Sequence, residues 1–457
     1  MTISGSHSPE ARTRKRRSVR ADLVVVAVVA VLVVVAAVVG RRLLAAGVEI
    51  FLGWPPLLAE WSPHVGPGTP AAIVVGLATA AWGPGLAARL RWSTLLGAAG
   101  AAAFAWTLSL SLVDGWQRGV VERLTSGEEY LSDVPRVAGL GGIGPMLRVF
   151  SDHILTTAVE PTQTWFWTTH VGGHPAGAFL LFTVLDRVGL GSGGAAGVVV
   201  MLVGSSAAVA VAVTLRALGH EDLARRVLPF SVLFPGAVWV GVSADGLFAG
   251  WLAWGVALLA VAAARRGAAA FLAAAASGLL LGYALYLSYG LVLGGLLPLA
   301  VLVATRRWWL LVPTALGALV VVAAFTAAGF WWFAGFADLR VIYAASAAAT
   351  RPYWYFVWAN VAALAFALGP AAVAGLRRTL GRTPTLPRAA MLLVGAAVAA
   401  ILLADLSGMS KAEVERIWLP FAVWATVACG MLPHPRRWLA AQVVLALAVN
   451  HLLLTVW

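Results

Sequence analysis

The chain has 457 residues, 61% of them apolar and only 11% charged, with a mean hydropathy of +0.88. Soluble domains carry about 25% charged residues, so a soluble globular enzyme is excluded. The net charge of +13 sits largely beside apolar runs, which argues for topology signals rather than a nucleic-acid partner.

Residues 1–21 form a basic tail containing Arg12, Arg14, Lys15, Arg16, Arg17 and Arg20. An apolar run follows at 22–40, and basic residues this close to a span stay cytoplasmic. A cleaved signal peptide fits less well. The run is too long for its apolar region, and Arg41 and Arg42 stand where small cleavage-site residues belong. Further runs long enough to cross about 30 Å of hydrocarbon lie at 70–88, 93–113, 193–215, 227–244, 247–264, 268–285, 287–304, 309–329, 356–375, 389–406, 417–432 and 438–456. In lipid the backbone must satisfy its own hydrogen bonds, so these runs predict helices. The alternating ten-residue strands of a membrane barrel are absent. The expected fold is an all-α, multi-pass cell-membrane protein of about 13 transmembrane helices, with a cytoplasmic N-terminus and a large outer loop of surface helices.

Thirteen crossings sort the charges. They place 21 of the 32 basic residues inside, among them Arg89, Arg216, Arg266, Arg307, Arg377 and Arg437. Only 4 of the 19 acidic residues fall on that side: Glu10, Asp22, Glu221 and Asp222. Such an asymmetry is what sets membrane orientation. The lone cysteine, Cys429, lies inside an apolar run, so neither an intrachain disulfide nor a cysteine metal site is expected.

Polar chemistry concentrates on the outer side. The connection 114–192 holds eight acids and His153, His170 and His174. Its stretches 145–159 and 174–188 read as amphipathic helices on the membrane surface. Asp114 ends an apolar run in Leu112-Val113-Asp114-Gly115-Trp116, where partial desolvation suits a proton acceptor. Asp245 is the one polar break between two apolar runs, and Asp-Gly equally suits a simple turn. In the short loop 405–418, Arg416 opens an apolar run, where a guanidinium grips a phosphate or pairs with Glu413 or Glu415. His170 and His174 are four apart, but the Gly172-Gly173 pair and Pro175 argue against a shared helix face holding a metal. The glycine-rich Gly139–Gly144 follows no strand and is discounted as a dinucleotide loop.

Asp114, the stretch His174-Pro175-Ala176-Gly177 and Asp245 occur in an order that resembles the GT-C superfamily of membrane glycosyltransferases, including protein O-mannosyltransferases and aminoarabinose transferases. Glu415-Arg416-Ile417-Trp418 is similar to a late loop that meets the lipid phosphate in some bacterial members. The resemblance covers about residues 93–457. The apolar runs within 22–92 form an added N-terminal transmembrane hairpin, and the resemblance implies a catalytic module at 93–304. C-terminal helices at 305–457 carry outer loops 330–355 and 407–416. It implies transfer of a sugar, with inversion, from a polyprenyl-phosphate donor to an extracytoplasmic glycan or protein acceptor. Asp114 and Asp245 would be catalytic, with Glu128–Glu129 or Asp133 as rivals to Asp114. His170, His174, Glu129, Asp133, Lys411, Glu415 and Arg416 would bind substrates. No cofactor is expected, a divalent metal stays open, and the partners are the lipid-linked donor, the acceptor and membrane lipids. A transporter and a catalytically inactive assembly protein of the cell envelope are the alternatives.

Overall fold

The computed structural model describes residues 9–381 and 386–456, with side chains from Ser18 onward. The basic side chains from Arg12 to Arg17, and Arg382, lie outside the described residues. Among the described residues, nine helices are long and apolar enough to cross a membrane. They are α1 (Ser18–Ala45), α2 (Thr69–Arg89), α3 (Trp92–Asp114), α4 (Gly193–Ala217), α5 (Ala244–Ala263), α6 (Gly267–Leu287), α7 (Trp308–Ala327), α8 (Tyr353–Thr379) and α9 (Arg388–Leu406). These are the marks of a helical membrane protein.

The other four expected spans take different forms. Segment 227–244 is the buried half of a helix, Glu221–Val232, then the break at Pro235-Gly236 and a single turn, Ala237–Val240. Segment 287–304 begins with Ser288 extended, then runs as a 3-10 stretch and a short helix within Tyr289–Thr305. Segment 417–432 divides into a helix, Leu419–Ala425, and a 3-10 stretch, Thr426–Met431. The last helix, Pro435–Leu452, ends in a strand. All of 419–429 is buried. Apolar residues there face protein, where broken helices are tolerated because neighbours satisfy the freed backbone groups.

Small residues draw the long helices together. A Cβ on Gly278 would stand 2.0 Å from the Thr314 carbonyl oxygen, so only glycine lets α6 and α7 approach this closely. Inside α8, Gly369 has φ +71° before Pro370, which breaks the helix. Gln442 repairs the break: its Oε1 accepts from Ala371 N (3.2 Å) and its Nε2 donates to Leu368 O (3.1 Å).

Two groups of contacts define opposite poles. At the arginine-rich pole, Asp22 at the start of α1 pairs with Arg377 (2.8 Å) and Arg378 (2.5 Å) at the end of α8. Arg225 there donates to the carbonyls of Ala87 and Leu90 at the end of α2. At the other pole, β1 (Ala59–Trp61) pairs antiparallel with β2 (Leu453–Thr455) beside Asp114. Segment 114–192 folds into short pieces, chiefly Tyr130–Gly139, Ile143–Arg148 and Ala176–Arg187. Of the expected 145–159 helix, only Ile143–Arg148 and a turn at Ser151–His153 form. Ala176–Arg187 has 12 residues, about 18 Å of rise, too short to cross a bilayer.

Candidate active site

Arg416 is the centre of the site. It lies in the turn Val414–Ile417 and is 6% exposed. Its Nη1 donates to Asp245 Oδ2 (2.5 Å) and its Nη2 to Glu413 Oε2 (2.8 Å). Burial alone would lower the arginine pKa, but the carboxylates of Asp245 and Glu413 outweigh it and hold the guanidinium charged. Asp245 occupies the first turn of α5, whose start is capped by the Ser243 hydroxyl accepting from Gly246 N.

Glu129 faces this arginine across the site. It is 5% exposed, and burial pushes its pKa up to about 7, against the opposing pull of Arg416. Its Oε1 stands 3.3 Å from His170 Nδ1. That nitrogen also lies 2.9 Å from the Glu128 carbonyl, and His174 Nδ1 lies 2.8 Å from the His170 carbonyl. A carbonyl only accepts, so both rings carry hydrogen on Nδ1 and present Nε2 as an acceptor. Burial lowers both histidine pKa values, that of His170 to about 3, so both rings are neutral at physiological pH. Tyr130 packs against these rings, with its hydroxyl buried and without a partner among the described residues. Glu415 is also buried, its pKa pushed up to about 8 by desolvation, so it is mostly protonated at neutral pH.

Asp114 belongs to an adjoining cluster. Its Oδ1 bonds His64 Nε2 (2.9 Å), and its Oδ2 bonds Arg123 Nη2 (2.8 Å) with Arg118 Nε at 3.7 Å. Both oxygens are therefore engaged by cationic or imidazole groups. Arg123 links the clusters through its attraction to both Asp114 and Glu129. Asp133 is a clamp: it accepts from Arg136 Nε (3.1 Å) and Thr168 N (2.8 Å). Lys411 directs its ammonium to the carbonyls of Ala349 and Arg351. The structure thus gathers Glu129, His170, His174, Asp245 and Arg416, and sets Asp114, Asp133 and Lys411 around them. Among the described residues no three His, Cys, Asp or Glu side chains are grouped to hold a metal ion.

Several neighbours escape sequence reasoning. His64 lies in an unremarked connection between the first two spans. Asn360 is hidden inside the apolar run of α8, yet it shapes the loop that carries Arg416. Its Nδ2 donates to Asp405 Oδ1 and Ser410 O (both 2.8 Å), and its Oδ1 accepts from Ala412 N (3.2 Å). This holds Ala412 and Glu413 at φ +74° and +61°, a left-handed conformation costly for non-glycine residues and concentrated at functional sites. Asn360→Leu is expected to cost about 1–3 kcal/mol for each buried group left unpaired. Asn360→Asp should be worse, because it sets a second carboxylate against Asp405. Thermal unfolding in detergent checks this; an Asn360→Asp variant as stable as wild type would refute the bonding scheme.

No protein-family model matches the chain, and no curated protein sequence matches it.

Proposed function

We propose that the protein is a multi-pass membrane glycosyltransferase with a cytoplasmic N-terminus, about 13 crossings when its short buried segments are counted, and its site on the outer face. One observation carries the reading. A buried arginine, three carboxyl groups and two neutral imidazoles meet at the end of apolar helices, although they come from three distant parts of the chain. This set suits transfer from an anionic lipid carrier, because it offers a fixed positive charge for a leaving phosphate and a base of pKa near neutrality.

In this reading Glu129, rather than Asp114, removes the acceptor hydroxyl proton. The hydroxyl oxygen attacks the anomeric carbon from the face opposite the carrier. The bond from that carbon to the phosphate oxygen breaks, and polyprenyl phosphate leaves with the electron pair. Each terminal guanidinium nitrogen of Arg416 has two N–H groups and gives one to a carboxylate. The guanidinium, held charged between these carboxylates, attracts the leaving phosphate. Asp245 and Glu413 hold the guanidinium plane, and the imidazole Nε2 atoms accept from sugar hydroxyls.

The test uses membranes overproducing the chain, supplied in turn with radiolabelled polyprenyl-phosphate mannose, arabinose and glucose. Label should leave the lipid for one of them and enter a chloroform-insoluble product. Failure to consume any of the three in wild-type membranes would refute the transferase reading. The orientation has its own test. Reporter fusions after Arg266, Arg307 and Arg437 should read cytoplasmic, and fusions at Glu129 and Lys411 external. An external signal at Arg307 would break the charge map.

A further inference from the structure

At the arginine-rich pole, far from the site above in the fold, a cavity of about 360 Å³ opens between the end of α2, helix Glu221–Val232 and the segment leading into the last helix. Its volume is within the roughly 300–1,000 Å³ of ligand pockets. Most of its wall is apolar, including Pro84, Phe230 and Leu432, and all its ionisable side chains except the thiol of Cys429 come from one helix: Asp222, Arg225 and Arg226.

The ion pairs on that helix are unevenly distributed. Glu221 takes everything within reach: Arg225 through Nε and Nη2 (2.9 and 2.7 Å), and Arg216 through Nε (2.9 Å). Arg225 is fixed further by the carbonyls of Ala87 and Leu90 and lies against the Trp92 ring. Its charge is therefore held rigidly at the cavity edge. Asp222 and Arg226 are four apart, a spacing at which opposite charges normally pair on a helix. Yet among the described residues neither side chain takes part in a hydrogen bond or an ion pair. A negative and a positive side chain thus face one cavity without neutralising each other, beside an apolar wall at the end of a membrane-length helix.

We propose that this cavity binds the headgroup of an aminophospholipid: a phosphodiester against Arg226 and the fixed Arg225, and a primary ammonium against Asp222. An anionic headgroup would leave Asp222 facing like charge. A trimethylated ammonium fits less well, because it has no N–H to donate to the carboxylate. The apolar wall takes the glycerol and the start of the acyl chains. The site is independent of the transferase reading.

The full chain, purified in detergent, is offered equal amounts of phosphatidylethanolamine, phosphatidylcholine and phosphatidylglycerol, and retained lipid is counted by native mass spectrometry. Phosphatidylethanolamine should be retained at least about fivefold over the other two, about 1 kcal/mol at RT ≈ 0.59 kcal/mol. Asp222→Asn should remove its advantage over phosphatidylcholine, and Arg226→Gln should weaken retention of all three. Both side chains are exposed, so neither change threatens folding. Equal retention of phosphatidylethanolamine and phosphatidylcholine, or an Asp222→Asn variant that keeps the preference, overturns the proposal. A preference for phosphatidylglycerol also overturns it, in favour of a plain anionic-lipid site. Displacement of the lipid by soluble O-phosphoethanolamine would assign the cavity to a free phosphoamine and overturn the lipid assignment.

Discussion

Glu129→Gln is expected to lower kcat by about 10²-fold or more while leaving binding of the polyprenyl-phosphate donor nearly unchanged. A general base acts only as the proton moves, and its loss typically costs 10²–10⁴-fold. Glutamine keeps the size of the side chain and its contact with His170 but cannot take a proton. The pH dependence follows from the same group. Burial raises its pKa from 4.5 to about 7, and the base works deprotonated. So kcat/KM should be flat above about pH 7 and fall about tenfold per unit below it, and the acid limb should vanish with the substitution. Asp114→Asn should behave differently. It leaves Arg123, whose side chain is 8% exposed, with its nearest carboxylate removed, and the loss should appear first as lower thermal stability. If Asp114→Asn abolishes transfer in a fully folded protein while Glu129→Gln retains the wild-type rate and pH profile, the base is Asp114.

What could be read from sequence divides along physical lines. Long helices with lipid-facing sides were legible, because an uninterrupted apolar run of sufficient length has few other uses. The short buried segments were not. Hydropathy scores Leu419–Met431 the same whether its side chains meet lipid or protein, and here they meet protein. The break at Pro235-Gly236 was visible in the letters, but its consequence depended on α8 lying alongside, where Gly236 N donates to Ala367 O (2.9 Å). At the site, the acids and the arginine stand out in the sequence because charge is rare in this chain. The pair of Arg416 with Glu413, three residues away, was legible, but its pair with Asp245 was not, since that depends on packing between α5 and the 407–416 loop. Asp114 had the position of a base, yet His64, fifty residues away, and two arginines occupy its oxygens. Nothing in Lys411-Ala412-Glu413 announces two left-handed residues, for neither alanine nor glutamate favours that conformation.

Arg416→Gln should be the most destabilising single change at the site, by about 3–5 kcal/mol, the usual cost of leaving one member of a buried ion pair uncompensated. Asp245 is the residue left stranded: its side chain is 6% exposed, and it pairs with Arg416. Asp245→Asn should cost less, because Arg416 keeps Glu413 at 2.8 Å and the asparagine oxygen still accepts a hydrogen bond. The double variant Asp245→Asn, Arg416→Gln removes both charges together and should be more stable than Arg416→Gln alone. A non-additive cycle of this kind is the signature of a direct contact, and thermal unfolding of the four proteins in one detergent measures it. Strict additivity would mean that the two side chains do not pair. Activity supplies the discriminating half of the experiment. If the pair were only structural, the restabilised double variant would recover transfer along with its fold. If the guanidinium holds the carrier phosphate, stability returns and transfer does not, and the remaining defect appears as lost donor binding, because a phosphate contact exists before the reaction as well as during it.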